Sequence, residues 1–477
     1  LATGPSRNRH DLSTVQAAVA AGHPATVAAG IEVLEAGGSA ADAAVAASLA
    51  SCVAETVMTG LLGGGHAIHY EAASGSARNL DCFVAVPGLG ATPRRRAEPL
   101  ELEVPFGIEL VHYAVGIASC GVPGVPAGLG TLHAEHGRLP WARLFEPALR
   151  LARDGVELPR AHAACLAMLE PVMTMNEGAT IYSPGGTLLQ TGDRLRQPGL
   201  VRALELLADE GPRSAYEGSL GRALLELMDE RDGLVTKDDL AGYAAVWSEP
   251  VRIPYTGTQV LTRAGLAPLA AGLETLPRLR GRSPGDRAVA LVRALDRPDD
   301  AGDTTNLVTV DPEGNACVLT SSLGLGAGDW LPGLDVHLNS MLGEADLIRG
   351  PLRPGARMGS MMSPTLALDG DGIAFAGGAA GGTRLRSALV QVLAGVLDEG
   401  LEPAAAVERP RLHPAAGIVQ LEPGLEPEVT PALEAAGYLV RPWPERHHYF
   451  GGVSLVTRAG AAGDPRRSGA AAALDAR

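Results

Sequence analysis

Along residues 23–52, HPATVAAGIEVLEAGGSAADAAVAASLASC, the apolar positions recur at helical spacing. Val27, Ile31 and Leu34 share one face of a first helix that Gly37 and Gly38 end. Ser39 and Asp42 open a second helix as N-cap and first-turn acid, and Val45, Leu49 and Cys52 continue its apolar face. The pattern changes to strand-like in LLGGGHAIHYEA and SARNLDCFVAVPG, joined by the turn residues Ser74 and Gly75. Residues 122–260 read mainly as helices with polar caps, and the Pro- and Arg-rich stretch at about 264–300 as one or two helices ending in an exposed linker. From residue 304 the texture changes again. TTNLVTV and ACVLTSS flank the turn DPEGN, TLALDGDGIAFAGG reads as a second hairpin, the helix SALVQVLAGVLDEG follows, and HYFGGVSLVTR closes the series as a strand. This order predicts a layered α+β fold with a natural boundary at about residue 303.

Composition narrows the partners. A net charge of -15 over 477 residues repels a phosphate backbone or an anionic membrane surface, so a small molecule or a peptide is the expected ligand, with no nucleic acid and no membrane. No uncharged apolar run approaches the ~20 residues of a membrane span. Five scattered cysteines without a C-x-x-C pair suit a reducing cytoplasm and argue against a zinc site or a disulfide framework. The opening LATGPSRNRHDLSTV lacks the basic head and apolar run of a secretory signal, and a cytoplasmic location is expected.

Several motifs offer chemistry and then lose it. Gly63-Gly64-Gly65 has no following Lys-Ser/Thr pair for a phosphate loop, which leaves tight strand packing. Gly324-x-Gly326-x-Gly328 fails the dinucleotide spacing. His66 with His69, and His447 with His448, lack the further ligands a metal needs, so neither a metal nor any other cofactor is expected. No G-x-S-x-G elbow occurs. Thr304 remains. Taken alone, Thr304 and Thr305 are two β-formers opening a strand. The alternative is chemical: a threonine that becomes the first residue of a chain carries its own base, its α-amine, and this requires a cut between Asp303 and Thr304.

The chain resembles the gamma-glutamyltranspeptidase family of N-terminal nucleophile (Ntn) hydrolases from about residue 13 to 475. The stretches that carry the resemblance include AGGSAADAAVAASLA, GVPGVPAGLGTLHAEHGRLPWARLFEPALRLARDGVELP, GLVTKDDLAGY, DTTNLVTVDPEGNACVLT, SMMSPTLAL, GGAAGGTRLRSALVQVLAGVLDEG and DPRRSGAAAAL, in that order. The resemblance implies a four-layer αββα sandwich made as a precursor. Cleavage would give a large subunit, 1–303, and a small one, 304–477, interleaved around one core as a heterodimer whose further pairing is left open. It also implies that Thr304 is the nucleophile, first in self-cleavage after Asp303 and then toward substrate. Ser322 falls where the family has a second hydroxyl near the nucleophile's amine, and Gly381 and Gly382 match the pair whose backbone N–H groups form the oxyanion hole.

The substrate residues depart from the family. Its D-x-R-E arginine is Phe83, in Asp81-Cys82-Phe83-Val84, so a bidentate carboxylate clamp is replaced by an apolar ring. Gly324 stands for the family's Asn, Met341 for its Gln/Glu, and Glu344 for its last Asp. Of the S-S-M serines Ser360 remains and Met361 replaces the other, while the usual T-T-H reads Thr304-Thr305-Asn306. Glu344 is a candidate for a substrate amine, and Arg357, Arg384 or Arg386 for a carboxylate from another direction. The first expectation is a self-processing hydrolase that forms a covalent acyl-Thr304 from an amide other than a standard γ-glutamyl compound, with water rather than an amine as acceptor. Two alternatives stand beside it: hydrolysis of a carbon–carbon bond next to a ketone in a natural-product pathway, and a family member without turnover that serves as a binding protein.

Overall fold

The computed structural model describes residues 17–91, 96–106, 109–266, 269–296, 304–348, 350–382, 384–415 and 417–474. The opening segment 1–16, the end of the linker and Asp303 lie outside the described residues. The first two helices form where the capping signals put them, at Pro24–Glu35 and Ala40–Ala54. Ser39 Oγ accepts the Asp42 N–H at 3.1 Å and Asp42 Oδ2 accepts the Ser39 N–H at 3.0 Å, closing a capping box. The apolar face of the second helix is part of a wider burial, because every residue of Ala40–Ala54 is buried. Alanine and serine leave little side chain to clear, so neighbours approach it from all sides.

Two large sheets, antiparallel throughout, occupy the centre. The first runs Ala470–Ala473, Ala18–Ala21, Thr305–Val310, Ala316–Ser322, Gly64–Glu71, Ser76–Cys82, Val246–Ser248. The second runs Gly460–Ala462, Gly452–Thr457, Gly372–Ala380, Thr365–Asp369, Thr258–Thr262, Val251–Tyr255. Side-chain alternation gives each sheet two apolar faces. Val308, Val310, Val318 and Ile68 from the first sheet share a cluster with Leu261, Leu366, Ala376 and Val456 from the second. The intervening residues Leu307, Leu319 and Leu80 pack instead with Val45 and Leu49 of the buried helix. In the second sheet Val260, Phe375 and Leu455 pack with Leu291 and with Leu389 and Leu393 of helix Arg384–Leu397. Position 303 divides the sequence, yet each sheet draws strands from both sides of it, and in the first sheet Ala18–Ala21 lies between two strands that follow it.

The DPEGN turn closes as expected. Asp311 Oδ1 accepts the Glu313 and Asn315 N–H groups at 3.1 and 2.9 Å, and Gly314 takes a φ of +82°. Mainly helical patterning over 122–260 holds as far as Gly242, after which three strands replace it, Val246–Ser248, Val251–Tyr255 and Thr258–Thr262. Thr256 and Gly257 both take positive φ, +48° and +88°, as a two-residue hairpin demands. Thr-Gly is a weaker turn signal than Asn-Gly, and the alternation beside it is short. A further hairpin, Leu100–Phe106 with Glu109–Val115, is absent from the sequence reading.

Candidate active site

Thr304 sits at the head of strand Thr305–Val310, beside the end of its partner strand. The register pairs Thr305 with Ser321 and Ser322 with Gly64, so Ser322 lies one step along from the nucleophile candidate. The triple glycine lets neighbouring backbone pack tightly here, since a Cβ on Gly63 would lie 2.3 Å from Ser322 O, one on Gly65 2.6 Å from Thr320 O and one on Gly64 2.6 Å from Val84 N. Ser322 Oγ accepts the Gly324 N–H at 2.8 Å, which fixes the chain as it leaves the strand.

The Gly381 N–H donates to Thr304 Oγ1 at 3.1 Å. Gly381 and Gly382 hold φ of +128° and +58°, and a Cβ on Gly381 would lie 2.8 Å from Gly451 Cα. Only glycine combines that backbone with that contact. Helix Arg384–Leu397 begins two residues later and anchors the turn.

A narrow pocket opens on Thr304. Phe83, Met341, Glu344, Ser322, Ser360, Met361 and Gly382, all candidates from the sequence, line it together. Leu347, Met362 and Leu385 complete the wall and were missed, because an apolar side chain carries no chemical signal in a sequence. The Phe83 ring stacks on His66 at 5.3 Å, and Tyr243 Oη donates to the Phe83 carbonyl at 2.7 Å. Glu344 is buried beside Gly324, where a Cβ would lie 2.4 Å from Glu344 Oε1. The loss of a side chain at Gly324 therefore makes the room that the longer acid at 344 takes up. Arg263 Nη1 donates to the Ser360 and Met362 carbonyls at 3.1 and 3.2 Å, tying this loop to the strand that ends at Thr262.

The three arginine candidates have other partners. Arg384 Nε donates to the Tyr449 carbonyl at 3.2 Å, Arg386 Nη2 to the Leu295 carbonyl at 2.8 Å, and Arg357 lies over the Tyr243 ring, 3.5 Å from Asp81 Oδ1. None of them lines the pocket on Thr304. Of the histidine pairs, His69 stacks on His136 at 3.8 Å and the His447 and His448 rings lie 4.1 Å apart, and among the described residues no group of three or more metal-ligating side chains gathers.

A second space, about 300 Å³, lies on another side of Thr304 and Thr305, lined by Glu55, Met58, His162, Asn306, Asp464 and Arg467 among others. The Thr305 hydroxyl donates to Glu55 Oε2 in a short contact, and the Thr26 hydroxyl donates to Oε1 at 2.6 Å. Burial pushes the Glu55 carboxyl up, against the pull of the two hydroxyls and of Arg467. Arg467 Nη1 approaches the Thr304 carbonyl oxygen at 3.5 Å. Burial also holds His162 down to about 3, so it is uncharged at neutral pH.

The family model for gamma-glutamyltranspeptidase matches residues 26–289 and 282–474. The Acylase ACY 1 proenzyme of Pseudomonas sp. strain SE83 is 29% identical over 486 residues, covering 88% of this chain and 87% of that protein. The glutathione hydrolase proenzyme of Bacillus subtilis strain 168 is 25% identical over 502 residues, covering 88% of this chain and 84% of that protein. The crystal structure of cephalosporin acylase from Bacillus halodurans superposes with a TM-score of 0.81 at 23% identity, over 100% of this chain and 99% of that one, a likeness of fold.

Proposed function

The chain belongs to the gamma-glutamyltranspeptidase family, with homology to acylase and glutathione hydrolase proenzymes, and on that premise we propose that it is a self-processing hydrolase whose nucleophile is the Thr304 hydroxyl. The Gly381 N–H on Thr304 Oγ1 at 3.1 Å, at the mouth of an apolar pocket, carries this reading. The precursor folds as an αββα sandwich and is cut between Asp303 and Thr304, which makes the Thr304 α-amine terminal. That amine takes the hydroxyl proton as Oγ1 attacks the substrate carbonyl. The Gly381 and Gly382 N–H groups stabilise the oxyanion, the amine returns the proton to the leaving nitrogen as the C–N bond breaks, and water then releases the acid from acyl-Thr304.

The acyl group is apolar and carries no carboxylate. Among the described residues Glu344 is the charged side chain that lines this pocket, and no arginine or lysine among them lines it to pair with a substrate carboxylate. The pocket walls offer Phe83, Met341, Met361 and Met362, whose flexible thioethers adapt to an apolar guest. A relative named an acylase supports acyl transfer to water over carbon–carbon cleavage. The test compares butyryl, phenylacetyl and γ-glutamyl p-nitroanilides. An apolar acyl group should exceed γ-glutamyl by about tenfold or more in kcat/KM, since each charged hydrogen bond the pocket lacks is worth about 1.5–3 kcal/mol. Faster γ-glutamyl turnover overturns the assignment.

A further inference from the structure

Glu55 is a fully enclosed acid that the reaction above leaves without a role. It closes the buried helix as C-cap and lies 250 residues from Thr305 in sequence, yet it receives the Thr305 hydroxyl. Thr26, from the first helix, occupies its other oxygen. Gly22 leaves space for this meeting, since a Cβ there would lie 2.4 Å from Glu55 Oε2 and 3.0 Å from Thr305 Oγ1. Arg467 comes from the far end of the chain, with Nη1 3.2 Å from Met58 Sδ and 3.5 Å from the Thr304 carbonyl oxygen. Its Nη2 would lie 3.4 Å from a Cβ on Gly381, beside the oxyanion turn.

We propose that Glu55 and Arg467 are a positioning pair that grips the Thr304–Thr305 peptide away from the substrate pocket and so holds the Thr304 hydroxyl on the Gly381 N–H. The proposal rests on the reading of Thr304 as nucleophile. Neither residue lines the substrate pocket, so neither touches the acyl group. Glu55 fixes the strand at the residue after the nucleophile, and Arg467 fixes the carbonyl between the two. A cation beside Thr304 also disfavours protonation of its α-amine, which must be neutral to act as base. The other titratable groups facing this peptide are His162, uncharged by burial, Asp464, engaged by Arg411 and Arg466, and Glu344 across the substrate pocket.

The experiment follows acylation of the self-cleaved enzyme by p-nitrophenyl butyrate in a single turnover, with p-nitrophenolate absorbance and the mass of the small fragment as readouts. In Glu55→Gln and Thr305→Val the saturating acylation rate should fall by about tenfold or more while the half-saturating concentration stays within about twofold, the split expected when only alignment is lost. Thr305→Ser, which keeps the hydroxyl, should stay within about threefold of wild type, and it decides the hydrogen bond even if Glu55→Gln does not fold. Arg467→Met should lower the rate and move the acid limb of the pH profile upward by about half a unit, and Arg467→Lys should restore that limb. Wild-type rates in Glu55→Gln and Thr305→Val, or an unmoved limb in Arg467→Met, overturn the pair. Acylation of Thr304→Ala at the wild-type rate overturns the nucleophile assignment instead, and the two failures are thereby distinct.

Discussion

The two spaces that meet at Thr304 differ in character. One is walled by Phe83, Met341, Leu347, Met361, Met362 and Leu385, and Glu344 is the charged side chain that lines it among the described residues. The other holds Glu55, His162, Asp464 and Arg467. On the proposed assignment the aligning and reacting parts are kept apart from the side that meets substrate. Charge placed behind Thr304 would not have to be desolvated again by each substrate, and an apolar wall in front of it would disfavour an anionic acyl group without touching those parts.

The largest test of this division is Thr304→Ala. Wild-type protein should run as two fragments in denaturing electrophoresis, the smaller beginning at Thr304 by mass, and the variant should remain one chain with no turnover. Gly381→Ala comes next. Its φ of +128° and the contact with Gly451 leave no place for a methyl group, and the loss of a donor to the oxyanion should lower kcat by about 10²–10³, or ~3–4 kcal/mol, with KM little changed. Phe83→Ala strikes the substrate side. It should leave self-cleavage intact, lower kcat/KM for butyryl p-nitroanilide by about ten- to a hundredfold through KM, and lower stability by roughly 3–5 kcal/mol through the cavity it opens. A fall in kcat alone would show that the two sides are not separable.

The smallest effect is the share of a single histidine in the response to acid. Burial holds His23 down to about 4 and His69, His162, His337 and His413 down to about 3. Their unfolded counterparts bind protons near pH 6.5, so the stability these neutral rings contribute is complete above that value. It is lost as pH falls from about 6.5 toward 3–4, at roughly 1.4 kcal/mol per histidine for each pH unit. Melting temperature should therefore decline between pH 7.5 and 5.5, before the carboxylates titrate, and His162→Gln should remove its share of that decline from the polar side.

Much of the apolar pocket beside Thr304 was legible, because motif positions name the residues that line it. Phe83 sits where an arginine is expected, Met341 and Met361 where polar residues are, and each substitution reads directly as lost charge. Gly381 and Gly382 were legible by motif position as well, and the φ of +128° at Gly381 is one that other residues rarely adopt. Glu55 was not, since VAETVMTG gives no sign that its acid will meet a threonine 250 residues away; only the packing of two helices against the first sheet creates that contact. The strands of 246–262 were hidden because their alternation is short and their turn is Thr-Gly. Leu347, Met362 and Leu385 were hidden because core and pocket ask the same thing of an apolar side chain.

Strand Ala18–Ala21 lies between Thr305–Val310 and Ala470–Ala473, bonded to both. A scission at 303–304 would therefore release nothing. It would leave one segment gripped on both sides by segments of the other, like a bolt already inside its hasp. On the proposed reading assembly would come first and the cut second, and cut copies could not exchange halves without opening the sheet.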